Sequence, residues 1–381
     1  MPKIKVLQAI RQGAIGGGES HVLDLVEYLD KQVFEPIVLA FTEGAMIDRL
    51  KKMGIQTHVI PTTRPFDFTV WGQVSDLLKQ EQVQLIHIHG TRANTNLVFP
   101  GQWNHLPMIY TVHGWSFHDD LPPLKRKMRI WSEALLTRRM TTTITVSEAN
   151  KRSGEELIPG FRTEVVHYGI NLQRFDPARP LHDVRSELGI GKEEFLLGYI
   201  ARITKQKAPL DMLRGFRLAL DQLGSDARLR LLLVGEGEMR AEMLALAKEL
   251  ALEPYLTIQP FRTDVPEVLA AVDAYCLPSL WEGLPIGLLE AMAMRRPVIA
   301  SRVDGTANIL RDRENGLLIA PQQPQELAAA IVALYRDRGL GEKIAQGAHQ
   351  TILAHYNAER MARQVEQVYQ SAMGPNKAVL Q

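Results

Sequence analysis

Apolar side chains along the chain recur in two modes: short runs rich in aliphatic and β-branched residues, and longer stretches in which they return every three to four positions. The short runs at 3–10, 36–41, 84–89, 108–112, 142–146 and 164–167 read as strands, and helical periodicity fills most of the intervals between them. Strand alternating with helix predicts a parallel sheet covered by helices. The pattern then restarts, with runs at 195–200, 229–234, 256–259, 274–277, 297–300 and 316–319, so a second sheet of the same kind is expected. Between the two series, 171–180 lacks periodicity and carries Phe175, Asp176, Pro177 and Pro180, which marks it as the expected hinge. Beyond Ile319 the pattern is helical through 325–335, 341–354 and 358–372. The expected division is a first domain over 1–170, a second over 171–356, and a helix with a polar tail over 357–381 that returns to the first.

Composition narrows this picture. A chain of 381 residues that is 45% hydrophobic has enough apolar surface for two globular domains and for a cleft. Lys and Arg number 44 against 43 Asp and Glu, so no global field draws the molecule onto nucleic acid, and any anion site must be local. The single cysteine, Cys276, sits in an apolar run, where a buried thiol is expected and a disulfide within the chain is impossible. The N-terminal run lacks a signal-like apolar region, and no stretch of about 18 uncharged apolar residues follows, which leads to the expectation of a cytoplasmic protein.

Ligands of parallel sheets bind beyond the carboxyl ends of the strands, so the chemistry is sought in the loops there. After the first run, Gly16, Gly17 and Gly18 lead into a helix near Glu19, where bare backbone and unpaired N–H groups suit an anion, although a glycine run is as readily a plain turn. After 195–200 come Arg202 and Lys207, candidate ligands for a diphosphate whose charge grows as its bond to a sugar breaks. Gly235 and Gly237 follow the next strand and permit close backbone approach; Gln259-Pro260-Phe261-Arg262 leaves another and is a candidate wall of a nucleobase pocket through its backbone groups. The richest segment joins Glu282 and Gly283 in a loop to Ile286, Gly287, Leu288 and Glu290 at the start of a helix, placing two carboxylates around a helix N-terminus. No Asp-x-Asp, the usual bridge from metal to diphosphate, is present.

In four elements taken in order the chain resembles family 4 of the retaining glycosyltransferases: Gly16-Gly17-Gly18-Glu19, Thr111-Val112-His113-Gly114, Arg202 with Lys207, and Glu282-x7-Glu290 followed by Ala291-Met292-Ala293. The resemblance runs along nearly the whole chain. It implies the GT-B fold, an α/β architecture of two Rossmann-like domains whose parallel sheets face each other across a cleft, with the acceptor on the first domain and a nucleotide-sugar donor on the second. It further implies that Glu290 binds the ribose hydroxyls, Arg202 and Lys207 the diphosphate, and Glu282 a hydroxyl of the transferred sugar. His113 would then lie beside the reacting sugar, through its ring or its main-chain carbonyl. The expected reaction is hexosyl transfer with retention, without cofactor or metal, from a UDP-sugar, or failing that a GDP-sugar, to a carbohydrate or lipid-linked hydroxyl in polysaccharide biosynthesis. Ala201 and Ala208 stand where the family commonly has glycine, and Asn308 where glutamate is frequent, which bears on the sugar rather than on the reaction.

Rival readings come from other features. His87-Ile88-His89 ends a strand with both imidazoles on one face, as in some metal-dependent hydrolases. A nucleotide-sugar epimerase on the same fold would need similar phosphate contacts and no acceptor. Residues 124–140 hold Lys125, Arg126, Lys127, Arg129, Arg138 and Arg139 against one acid, Glu133, with Trp131 interleaved. That stretch fits a helix lying on an anionic membrane, at the inner face, and equally a solvated helix with Trp131 packed inward.

Overall fold

The computed structural model describes residues 3–13, 16–117 and 121–374; the polar tail expected after the last helix lies outside them from 375 onward. The first sheet contains β1 (Ile4–Ile10), β2 (Phe34–Ala40), β3 (Gln56–Val59), β4 (Leu85–His89), β5 (Met108–Val112), β6 (Thr142–Thr145) and β7 (Glu164–Val165) in the order β3-β2-β1-β4-β5-β6-β7. The second contains β8 (Phe195–Ile200), β9 (Leu229–Val234), β10 (Leu256–Gln259), β11 (Ala274–Leu277), β12 (Val298–Ser301) and β13 (Leu317–Ile319) in the order β10-β9-β8-β11-β12-β13. Every pairing in both is parallel. The seventh strand of the first sheet, β3, was not expected, because an edge strand reading Gln-Thr-His-Val with no fully buried residue presents no apolar run.

Contacts divide the chain into two compact units, one of 1–169 with the chain from 358 onward, the other of 170–357. In the first, one sheet face packs Leu7, Ala9, Ile86, Ile88, Tyr110 and Val112. The opposite face sets Val6, Leu85, Ile109 and Ile144 against Met361, Val365, Val368 and Tyr369 of the C-terminal helix Ala358–Met373. That helix also packs on the helix Gly17–Tyr28. In the second unit, Leu197, Tyr199, Leu231, Leu233 and Cys276 meet Met212, Phe216, Leu327 and Ile331. Burial there pushes the Cys276 thiol up, away from reactivity. In each sheet the strand order reverses once, between β1 and β4 and between β8 and β11. Such reversals leave a crevice beyond the carboxyl ends of the strands. The loops after β1 and β5 in the first unit, and after β8 and β11 in the second, hold the residues singled out above.

Candidate active site

In the second unit the loop after β8 carries Arg202 exposed, Ile203 buried and Lys207 half-buried on a single 3-10 turn, Lys205–Lys207. Ala208 follows with φ 50° and ψ 53°, a left-handed conformation, before Pro209 opens the helix Pro209–Leu223. Glycine is the residue with no steric penalty at such a joint, which accounts for the family preference from which Ala208 departs. The Lys207 ammonium ion-pairs with the Glu282 carboxylate at 2.5 Å, and Ser279 Oγ donates to the same carboxylate at 2.6 Å. Gln206 joins the two loops: its main-chain carbonyl accepts from Leu280 N at 2.8 Å, and its amide donates to the Trp281 carbonyl at 2.9 Å. Lys207 and Glu282, 75 positions apart in sequence, therefore form one rigid, nearly dry pair.

The loop after β9 leans on this assembly. A Cβ at Gly235, whose φ is 146°, would run into the carbonyl oxygen of Ala201, and one at Gly237 into that of Ile203. Met239 N donates to the Ile203 carbonyl at 3.0 Å, so glycine at 235 and 237 lets the two loops touch and holds Arg202 in place. Gly305 plays a similar part behind Gly283, whose carbonyl oxygen lies where a Cβ on Gly305 would be. Pro285 caps the helix Ile286–Ala293 without any side-chain acceptor. The N–H groups at the start of a helix have no partner within it. Gly287 sits under this end against the Tyr275 hydroxyl, Leu288 is buried, and Glu290 lies one turn inside. Desolvation raises the Glu290 carboxyl to about 7, with Arg174 acting in the opposite direction.

The side chain of Arg262 is engaged within its own unit. Its guanidinium forks onto Glu187 at 2.6 and 3.0 Å and holds Asp264 through Nε at 2.9 Å, and these hydrogen bonds push its own pKa up. The guanidinium is thereby held by two carboxylates, and the main chain of 259–262, the part expected to form a wall of a nucleobase pocket, takes no part in these ion pairs.

In the first unit, Gly16 caps the helix Gly17–Tyr28 with no side-chain hydrogen bond, and a Cβ on Gly18 would lie 3.5 Å from the His113 ring. His113 follows β5. Its Nδ1 hydrogen-bonds with the Tyr168 hydroxyl at 2.5 Å and its Nε2 with His89 Nδ1 at 3.2 Å. With both ring nitrogens occupied, the carbonyl is the polar group His113 has left to offer. The ring of His21 packs edge-on to His89 and His113, and neither of its nitrogens finds a hydrogen-bond partner. Burial pushes His87 and His113 down to about 3, and His21 and His89 well below the ordinary range.

The metal reading of His87 and His89 is overturned by these contacts. His87 bonds to Tyr369 and Thr111, and His89 to His113 and Gln8, so no ring lone pair of either remains for a metal ion. Among the described residues, no group of three or more His, Cys, Asp or Glu is placed to hold one. Gln8, Tyr168 and Tyr369, which complete this arrangement, and Ser279 and Gln206, which set Glu282, were not among the expected site residues.

The basic stretch is the helix Pro123–Thr137. Leu124, Met128 and Trp131, spaced four and three apart, are 73%, 65% and 69% exposed, so Trp131 does not pack inward. Lys125 and Lys127 are exposed beside them. Glu133 lies on the opposite, buried side, where its carboxylate accepts from Thr91 and Ser116 at 2.7 and 2.6 Å. The outer face thus combines cations and apolar side chains without an acid. No described helix is long and apolar enough to cross a membrane.

Comparison with known proteins bears on the whole chain. Residues 15–174 match the model of Glycosyltransferase Family 4, and residues 194–337 that of Glycosyl transferases group 1. The Bacillus subtilis protein EpsD is 27% identical over 351 residues, 85% of this chain and 91% of its own length. The UDP-Gal:alpha-D-GlcNAc-diphosphoundecaprenol alpha-1,3-galactosyltransferase of Escherichia coli is 23% identical over 378 residues, 96% of this chain and 97% of the other. Among solved structures, Anabaena HepE in complex with UDP and glucose aligns with a TM-score of 0.84 at 21% identity, covering 97% of this chain and all of HepE. The chain is a GT-B-fold glycosyltransferase related to the family 4 and group 1 glycosyltransferases.

Proposed function

We propose that the chain moves a hexose from UDP, with retention and without a metal ion, to a hydroxyl of a lipid-linked acceptor during glycan or polysaccharide assembly at the cytoplasmic face of an anionic membrane. Glu290 accepts hydrogen bonds from the ribose hydroxyls. The main chain at Ile286, Gly287 and Leu288, with Arg202 and Lys207, meets the diphosphate, while Glu282 orients a sugar hydroxyl and the His113 carbonyl lies beside the sugar. Gly16, Gly17 and Gly283 let backbone approach the donor closely. As the acceptor oxygen bonds to the anomeric carbon, the electron pair of the breaking bond passes to the leaving diphosphate, and a phosphate oxygen on the same face takes the acceptor's proton. Fixed cations stabilise the charge that develops there.

Glu290 carries the proposal: a half-buried carboxyl one turn inside a helix without a side-chain cap, raised to about 7 by desolvation, is matched by two ribose hydroxyls above a bound anion. UDP as the base is supported by the Escherichia coli relative, whose name specifies UDP-galactose, and by the UDP held in HepE. The same relative acts on a diphosphoundecaprenol acceptor, which supports a lipid-linked acceptor here, together with the exposed basic and apolar face of the helix Pro123–Thr137. Calorimetric titration of UDP, GDP and ADP in EDTA tests the donor site. UDP is expected to bind most tightly, and Glu290→Ala to lose roughly a hundredfold, as when a charged hydrogen-bond partner is removed. Equal binding of all three, or binding unchanged in Glu290→Ala, would sink the proposal.

A further inference from the structure

The face of the first sheet beneath the helix Ala358–Met373 changes character along its strands. At one end Val6, Leu85 and Ile109 are aliphatic; toward the carboxyl ends the same face presents Gln8, His87, His89 and Thr111, because side chains alternate along a strand. All four are buried, as is Tyr369, which the helix adds from above. Burying so many polar groups is costly unless each is paired. Here the pairs form a single chain. The Tyr168 hydroxyl meets His113 Nδ1 at 2.5 Å, His113 Nε2 meets His89 Nδ1 at 3.2 Å, and His89 Nε2 meets Gln8 Oε1 at 2.9 Å. Gln8 Nε2 then meets the Tyr369 hydroxyl at 2.8 Å, that hydroxyl meets His87 Nδ1 at 2.7 Å, and His87 Nε2 meets Thr111 Oγ1 at 2.7 Å.

A neutral imidazole has one donor and one acceptor, so a choice made at any link propagates to every other. Gln8 makes the choice, since its two ends differ: the carbonyl oxygen faces His89 and the amide nitrogen faces Tyr369. The oxygen can only accept, so His89 donates from Nε2 and accepts at Nδ1. His113 must then donate from Nε2, and its Nδ1 accepts from the Tyr168 hydroxyl. In the other direction Tyr369 accepts from the amide and donates to His87, which donates on to Thr111. Every link of the chain then joins one donor to one acceptor. Turning the Gln8 amide over would reverse all of these bonds and move the His113 proton to Nδ1.

We propose that Gln8, His89 and Tyr369 are positioning residues that hold His113 as the Nε2–H tautomer with both ring nitrogens spent, so that His113 meets the donor sugar through its main-chain carbonyl. The tautomer stands on the geometry alone; the contact with sugar rests on the proposed donor site. Glu19 and His21, on the helix Gly17–Tyr28, and Glu366, on the helix Ala358–Met373, are further titratable groups around this cluster, and desolvation keeps the four histidines neutral.

The test uses the full chain with 15N-labelled histidine. In long-range proton–nitrogen spectra at pH 7, with His113 assigned by its loss in His113→Gln, the expected pattern is a bare Nδ1 and a protonated Nε2. Gln8→Leu removes the acceptor of His89 and should turn His113 into a mixture of tautomers; Tyr369→Phe, a smaller change, should alter His87 first. A wild-type His113 protonated on Nδ1, or a single unchanged tautomer in Gln8→Leu, overturns the chain. The wild-type spectrum decides even if a variant fails to fold. For the sugar contact, affinities for UDP-galactose and UDP are compared: Gln8→Leu should weaken UDP-galactose about tenfold, as for one lost hydrogen bond, and leave UDP within about twofold. Equal effects on both ligands, with the tautomer shifted, would overturn the sugar contact and leave the chain standing. Absence of any UDP binding to the wild type would overturn the donor site instead.

Discussion

The two units accommodate ionisable side chains toward the carboxyl ends of their sheets by different means. The first holds a chain of neutral groups: Tyr168, His113, His89, His87 and Tyr369 pair uncharged, and burial holds the imidazoles far below their usual range. The second keeps charge and matches it, with Lys207 on Glu282 and Arg262 on Glu187 and Asp264, and leaves one carboxyl, Glu290, raised to about 7. A diphosphate gaining charge needs fixed opposite charge in a dry site, whereas a neutral sugar needs positioned dipoles and shape. Acid should therefore act on the histidine chain and on Glu290 in opposite senses. The unfolded chain takes up protons on its histidines from about pH 6.5 downward, while the folded first unit resists until about 3, so stability is lost as pH falls through that window. Glu290 works the other way: its neutral form is favoured in the fold, and its contribution is full below about 4.5 and lost as pH rises through about 7.

The largest expected effect follows from the histidines. Urea unfolding should lose on the order of 1.4 kcal/mol per pH unit, below about pH 6.5, for each histidine that must charge. A flat profile between pH 7 and 5 would contradict the neutral chain. Next, Lys207→Met leaves the Glu282 carboxylate nearly dry with only hydrogen bonds, and should cost about 3 kcal/mol. The double variant Lys207→Met/Glu282→Leu should regain most of that stability and still fail to turn over donor; if the single variant unfolds like wild type, the pair is not the rigid unit described. Gly235→Ala should cost roughly 2 kcal/mol and weaken UDP binding by displacing Arg202, because a side chain is strained at that φ and meets the Ala201 carbonyl. Full stability and full affinity would show that the two loops part freely. The smallest effect on the donor site concerns the exposed helix: neutralising Lys125, Arg126, Lys127 and Arg129 should abolish binding to vesicles containing phosphatidylglycerol and leave UDP affinity within about twofold. Undiminished vesicle binding would remove the membrane from the account.

Much of the fold was legible because it rests on local pattern. All of the apolar runs named as strands lie on strands, and β3 escaped only because an edge strand with exposed Gln56 and half-exposed Thr57 and His58 needs no apolar alternation. The loops that carry Arg202, Lys207, Glu282 and Glu290 were found from their place after strands. Partners were not legible. Gln8 and Tyr369 meet across 361 positions, and nothing near either residue announces the other. His87 and His89 showed only that two imidazoles share a face, which suits a metal as well as a hydrogen-bond chain; Gln8, Thr111 and Tyr369 decide between them. The fork of Arg262 onto Glu187, 75 positions away, was hidden in the same way. Trp131 could have packed on either side of its helix by sequence, and the exposure of Leu124 and Met128 beside it is a property of the packed unit.

UDP affinity as a function of pH tests the assignment of Glu290 most directly, in the wild type and in Glu290→Gln, which keeps the shape of the side chain and removes its titration. If ribose hydroxyls donate to an ionised Glu290, wild-type affinity should fall by up to about tenfold per pH unit below about 7, beyond the decline seen in Glu290→Gln from the phosphates of UDP themselves. Parallel profiles, with equal affinity at pH 8, would mean that the nucleotide does not bind at Glu290.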